Sequence, residues 1–316
     1  MPFTQSSSTR QFWLSVRRNI SAACGRRSFH PVLLALYVSL ICMLNQADAA
    51  PSRIQVTVQG QGAPVLLIPG LMSDQRIWQA TAKALESQYQ LHLVSLAGFA
   101  GTPAVTGVLL PAVKAELLQY IQTQKLQRPV IIGHSLGAFL AFDLASSAPQ
   151  LIGKIIAVDG LPYLAPVFTR DSNTTVAMMQ TQAQGIQSYY QQMTPAALQA
   201  SVQQGLNIQA TSATHQALVL EMAGKSDPAA VGQAIYELLS TDLRDNVAKI
   251  QQPVLLLGAG GALPSASMRP AVEAMYQQQI SKIPQAQLQF NWQSRHFMML
   301  DQPDWVLAQI QQFLAN

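Results

Sequence analysis

Cysteine is nearly absent. The 316-residue chain has two, Cys24 and Cys42, both within the first fifty residues. Without that segment the chain has no disulfide, no thiol nucleophile and no cysteine metal site. Charge is sparse as well, at 11% of residues. Residues 1–49 hold five of the nineteen Lys and Arg and one of the fifteen Asp and Glu, which leaves fourteen of each beyond them. The formal net charge of +4 therefore belongs to the amino-terminal segment, and the remainder offers no electrostatic footing for nucleic acid. Val32–Leu44, an apolar run of thirteen residues, falls short of the roughly 18–20 a membrane span needs. No metal-ligand cluster, phosphate loop or internal repeat is present. Gly258-Ala-Gly-Gly261 lacks the full spacing and the early position of a dinucleotide loop, so no cofactor and no metal are expected.

What is there begins with a leader. Five arginines and no acid precede the apolar run, and Ala47-Asp48-Ala49 follows it as a small-residue cleavage signal, so residues 1–49 read as a signal peptide. The expected location is periplasmic or secreted, with no stable membrane span after cleavage. Arg26-Arg27-Ser28-Phe29 partly resembles a twin-arginine signal, which leaves that route and the general secretory route both open. An uncleaved anchor is the other reading. Ile41 is too large for the residue before a lipidated Cys42.

Beyond the leader, strands and helices alternate. Ile54–Val58 has a two-residue period, and Pro64–Ile68 is continuously apolar, as in a strand buried on both faces. Asp74–Gln88 reads as a helix, Gln90–Leu96 as a strand and Leu109–Gln124 as a helix. Strands follow at Arg128–Ile132 and Lys154–Val158, separated by a helix over Ala138–Ser147. This pattern predicts an α/β fold, with a mostly parallel sheet covered by helices on both faces. From Gly160 to about Ser240 the alternation stops. Apolar residues recur among glutamines at helical spacing, and Ser226-Asp-Pro228 is a helix start. The segment 160–240 reads as a helical cap, with 50–159 and 241–316 forming the core. Pro253–Leu257 and Ala286–Phe290 resume the sheet, and Asp304–Leu314 closes the chain.

Gly133-His134-Ser135-Leu136-Gly137 lies between a strand and a helix. In that setting G-x-S-x-G is a nucleophile elbow, a sharp turn with an exposed serine at its tip. A serine needs a neighbouring base. His134 lies inside the elbow and points away from a substrate, His92 lies in a strand and His215 in the cap. His296, after the last strand, is the expected general base.

With these landmarks in order, the chain resembles the α/β-hydrolase family: Pro69-Gly70-Leu71 after an early strand, the elbow at Ser135, the strand Pro253–Leu257, and Ser294-Arg295-His296-Phe297 before the final helix. The resemblance implies a serine hydrolase with a helical cap. The family usually places the third catalytic residue in the loop after the strand corresponding to Pro253–Leu257. Here that loop, Gly258–Ser265, has no carboxylate. Some members, including a subset of haloalkane dehalogenases and some lipases, take the acid from the strand end after the elbow helix, where Asp159 stands. Asp159 is therefore the expected acid and Asp242 the alternative, although Thr241-Asp242 more simply cap a helix leading to Lys249. The oxyanion donors are expected from the backbone N–H groups of Leu136 and Leu71, with Met72 as the alternative to Leu71.

Apolar residues around the site, among them Met72, Phe99, Tyr163, Phe297, Leu161 and Phe168, suggest an apolar acyl or alcohol pocket under the cap. The expected reaction is hydrolysis of a small apolar carboxylic ester, thioester or lactone through an acyl-enzyme. The alternatives are a non-catalytic binding protein on the same fold and a lipase acting at a lipid surface. Oligomeric state and natural substrate carry no signal in the chain.

Overall fold

The structure, a computed structural model, describes residues 51–315. The leader assigned to residues 1–49 lies outside the described residues. Seven strands form one sheet: β1 (Ile54–Gln59), β2 (Ala63–Ile68), β3 (Tyr89–Leu96), β4 (Val130–His134), β5 (Ile155–Val158), β6 (Val254–Ala259) and β7 (Ala286–Asn291), in the order β1-β3-β2-β4-β5-β6-β7. β1 runs antiparallel to β3, with Ile54 opposite Leu96, and every other pairing is parallel. The burial of each strand follows its pattern. β5 (IIAV) is wholly buried, because helices cover both faces, whereas the edge strands β1 and β7 alternate in exposure.

Three helices belong to the first half of the core: α1 (Gln79–Leu85), α2 (Leu110–Thr123) and α3 (Leu136–Ser147). The helix expected over Asp74–Gln88 divides in two. The Asp74 carboxylate accepts the Arg76 N–H two residues on, and the chain winds as a 3₁₀ turn over Gln75–Trp78 before α1 begins. α3 is buried from Leu136 to Ser146. Such a helix must be apolar nearly all round, and its alanines at 138, 141 and 145 meet that need.

The 160–240 segment is helical, with α4 (Ala165–Thr169), α5 (Val176–Gln191), α6 (Pro195–Gln204), α7 (Leu206–Gln209), α8 (Ala213–Gly224) and α9 (Pro228–Ser240). Thr175, Thr194, Ser212 and Asp227 each cap a helix by accepting a backbone N–H three residues on. Core helices α10 (Arg269–Ile280), α11 (Met298–Asp301) and α12 (Pro303–Ala315) complete the chain. The helical segment and the core belong to one compact unit. Buried Glu237 of α9 accepts the N–H groups of Leu109 and Leu110 at 2.9 and 2.6 Å, which caps α2 from across the molecule. Thr241 and Asp242 do not cap a helix. Asp242 accepts the Arg244 N–H and pairs with its guanidinium, and only a 3₁₀ turn, Asn246–Lys249, follows. No helix among the described residues is long and apolar enough to cross a membrane.

Candidate active site

β2, β4, β5, β6 and β7 are parallel, so their carboxyl ends share one edge, where an open α/β sheet binds its ligands. The elbow sits there between β4 and α3. Ser135 has φ 53° and ψ −115°, a conformation that costs a non-glycine residue about 1–3 kcal/mol and persists only when its surroundings enforce it. The surroundings are specific. A Cβ on Gly133 would lie 2.1 Å from the Gly137 carbonyl oxygen, and one on Gly137 would lie 2.3 Å from that of Ile68. Strand, turn and helix thus approach more closely than any side chain allows. The Ser135 N–H donates to Val158 at 2.9 Å, and its carbonyl accepts from Ala138 and Phe139.

Asp159 directly follows β5, also at positive φ (47°). Its N–H donates to the Leu257 carbonyl at 2.8 Å. Its Oδ2 lies 2.6 Å from His296 Nδ1, and its Oδ1 accepts from the Ala259 N–H at 3.0 Å and the Tyr276 hydroxyl at 2.9 Å. A carboxylate facing Nδ1 keeps the proton there, so Nε2 is the basic nitrogen. The structure thus brings Asp159 to His296, whereas Asp242 is engaged by Arg244, whose guanidinium also stacks 4.8 Å from the Tyr163 ring.

The His296 backbone is held from two sides. Its N–H donates to Ile208 of α7 at 3.3 Å, and the next amide, of Phe297, donates to Gln209 at 2.9 Å. Its carbonyl accepts from His134 Nε2 at 3.0 Å. His134 is fully buried, with its ring 4.6 Å from that of His296. Burial, and then the proximity of His296, hold its pKa well below the usual histidine value, so it is a neutral donor to that carbonyl. Nothing in the motif's spacing distinguishes this anchoring role from an ordinary buried histidine. Tyr276 was not visible in the sequence either, since a lone tyrosine in a glutamine-rich helix has no signature. Burial, and then the Asp159 charge, push its phenol well above the usual tyrosine value, so it remains protonated and donating.

Ser135, Asp159 and His296 line one cavity of about 110 Å³, together with Leu136, Gly160, Leu161, Leu164, Val167, Leu238 and Tyr276. Among the described residues no hydrogen bond reaches the Ser135 hydroxyl. Contacts between nucleophile and base are often long in the free enzyme and tighten with substrate. The Leu136 N–H opens α3 and so has no carbonyl one turn back within the helix. The Leu71 loop runs over the elbow. A Cβ on Gly70 would lie 2.7 Å from His134 Nδ1 and 3.1 Å from the Ser135 Cβ. Leu71 and Met72 are partly buried against the core, and Met72 takes φ 55°.

Most of the apolar residues expected at the pocket do not line this cavity. Phe99 is wholly buried in the core, the Tyr163 hydroxyl donates to the Leu239 carbonyl, and Phe297 packs against His134. Phe168 is 60% exposed. Leu161 and Leu136 do reach the cavity, but Leu164, Val167 and Leu238 supply the rest of its aliphatic wall. Sequence proximity to motifs pointed to Phe99 and Phe297, whereas the wall comes from the two ends of the helical segment. Among the described residues, no group of three or more His, Cys, Asp or Glu is arranged to hold a metal.

Comparison with known proteins agrees with this architecture. The profile of a family described as "Alpha/beta hydrolase family" matches residues 65–309. A pimeloyl-[acyl-carrier protein] methyl ester esterase of Aeromonas salmonicida is 28% identical over 205 residues, covering 62% of this chain and 76% of that protein. The biotin biosynthesis bifunctional protein BioHC of Cellvibrio japonicus is 37% identical over 125 residues, 36% of this chain, and the match spans only 24% of that longer protein. A thermophilic esterase from Thermogutta terrifontis superposes with a TM-score of 0.68 at 20% identity, covering 83% of this chain and 93% of that one.

Proposed function

The chain belongs to the alpha/beta hydrolase family, and from that premise we propose that it is a serine hydrolase of carboxylic esters. Ser135 is its nucleophile, His296 its general base and Asp159 its acid. The observation that carries this reading is the 2.6 Å contact between Asp159 Oδ2 and His296 Nδ1, in a cavity shared with a serine on a strained elbow. The esterase names borne by a relative and by a structural neighbour lend it support.

In this mechanism His296 Nε2 takes the Ser135 proton as Oγ attacks the ester carbonyl. Asp159 stabilises the imidazolium that forms and fixes its tautomer. The N–H groups of Leu136 and Leu71 receive the developing oxyanion. One such donor is worth about 10²–10³ in kcat. His296 then protonates the departing alcohol, which leaves an acyl group on Ser135. Water, deprotonated by His296, attacks that acyl carbon, and His296 returns the proton to Ser135 Oγ as the acid departs. The cavity wall is aliphatic, and beyond the three catalytic groups its only polar side chain is the Tyr276 phenol. An uncharged acyl group is therefore favoured, because a buried charge without a partner is costly. Thioesters and lactones suit the same machinery.

The leader supports export, with action in the periplasm or outside the cell. The test of the reaction is hydrolysis of nitrophenyl esters of graded acyl length by the purified protein, beside Ser135→Ala and Asp159→Asn. The expected outcome is turnover by the parent, none above background for Ser135→Ala, and a loss of about 10³–10⁴ in kcat for Asp159→Asn. An inert but folded parent, or an active Ser135→Ala, rejects the reading.

A further inference from the structure

A carboxylate at the end of β5 reaches His296 without help from the β6 loop, which carries no acid. Something must therefore fix its rotation. The oxygen turned away from His296 receives two donors, the Ala259 N–H at the end of β6 at 3.0 Å and the Tyr276 hydroxyl of α10 at 2.9 Å. The backbone amide is part of the sheet, while the phenol is a choice of this sequence. Its ring is fixed in turn: Tyr276 packs on Phe290 of β7 with centroids 5.1 Å apart, Phe290 stacks on Trp292 at 4.4 Å and 7°, and the Arg269 guanidinium covers Trp292 at 5.1 Å. A column of side chains from α10 and β7 thus ends in one hydroxyl aimed at Asp159.

We infer that Tyr276 is a positioning residue of the catalytic apparatus, whose O–H locks the Asp159 carboxylate so that Oδ2 stays on His296 Nδ1. The inference rests on the serine-hydrolase reading and adds to it a fourth side chain. Tyr276 acts through Asp159. It also borders the cavity, so direct contact with substrate is the competing role, and the two roles separate in kinetics. The ionisable groups that face His296 are Asp159 from the end of β5, His134 from β4 and Ser135 at the elbow, with Tyr276 behind Asp159.

The experiment is Tyr276→Phe, which removes one oxygen and keeps the ring column, measured beside the parent and in combination with Asp159→Asn. A lost hydrogen bond to a charged group predicts a fall in kcat of about tenfold. KM should remain within about twofold, as for an interaction felt only in the chemical step. On the Asp159→Asn background the same change should cost little further, since groups acting as one unit are non-additive. Unchanged kcat overturns the inference, as does a loss confined to KM, or a full additional loss on the Asp159→Asn background. One readout needs no substrate. The downfield proton resonance of His296 Nδ1–H reports its contact with Asp159, and Tyr276→Phe should shift or broaden it. An unmoved resonance overturns the positioning role, while a parent inert on all esters overturns the reaction. The two therefore fail separately.

Discussion

Ser135, His296 and Asp159 carry local signatures: an elbow between strand and helix, a histidine after the last strand, and an acid at the next strand end. Their meeting in one cavity was legible because each is tied to a backbone feature that leaves a pattern in the chain. His134 and Tyr276 left none, since their roles depend on what stands opposite them in space, namely the His296 carbonyl and Asp159 Oδ1. His134 also has a measurable consequence. It is buried neutral, with its pKa held well below the usual value by burial and then by His296. The unfolded chain takes up this proton near pH 6.5, and the native state does not. Stability is therefore complete above about pH 6.5 and is lost as pH falls below it, with a slope approaching about 1.4 kcal/mol per unit for such a group. His92, lowered by burial, adds in the same direction. Denaturant melts between about pH 5 and 8 should show this slope, and His134→Gln should flatten it. A melt equally steep in the variant would assign the acid sensitivity elsewhere.

At the scale of elements, the sheet was legible nearly strand for strand, because buried parallel strands are continuous apolar runs with turn residues at their ends. The 160–240 segment was legible only as helical. Its six helices divide at Thr175, Thr194, Gly205, Ser212 and Asp227, and of these only the Asp-Pro start was expected. Glutamine-rich sequence shows a weak period, so capping side chains set the boundaries. The link between this helical segment and α2 was not legible at all. Glu237 stands in α9 at helical spacing like a surface residue, yet it is 7% exposed and satisfies two first-turn amides of α2. A carboxylate also complements the positive end of that helix. Glu237→Ala strands those two N–H groups, and an unsatisfied buried donor costs about 1–3 kcal/mol. The variant should melt earlier by that amount. Amide exchange should quicken at Leu109, Leu110 and along α9, and Glu237→Gln, which keeps one acceptor, should fall between. Unaltered exchange at Leu109 and Leu110 would show that the Glu237 contact does not hold α9 to α2.

At the scale of the whole molecule, charge is the governing quantity. Beyond residue 49, acidic and basic residues balance at fourteen each, and residues 172–220 contain no Asp, Glu, Lys or Arg. Several of the remaining charges are paired, as in Arg76 with Asp74 and Glu221 or Arg244 with Asp242. Residues 50–316, with no net charge, do not steer a charged substrate toward the cleft, whereas steered encounter falls steeply with ionic strength. The uncharged stretch 172–220 and the aliphatic wall of the cavity point the same way, toward an uncharged ester that arrives by free diffusion. For a soluble, neutral short-chain ester, kcat/KM should therefore vary by less than about twofold between roughly 0.01 M and 1 M salt, a range over which the screening length falls from about 30 to about 3 Å. A steep fall would mean that a local charge recruits the substrate, and the uncharged-ester assignment would be withdrawn. The same assay carried past the solubility limit of a longer ester examines the rim. Val167 lines the cavity yet is 41% exposed, and Phe168 beside it is 60% exposed. Two apolar side chains on one short helix are too small a patch to hold a membrane surface against the cost of ordering it. Activity should therefore saturate smoothly with dissolved ester, whereas a jump at the solubility limit would assign the reaction to a lipid surface.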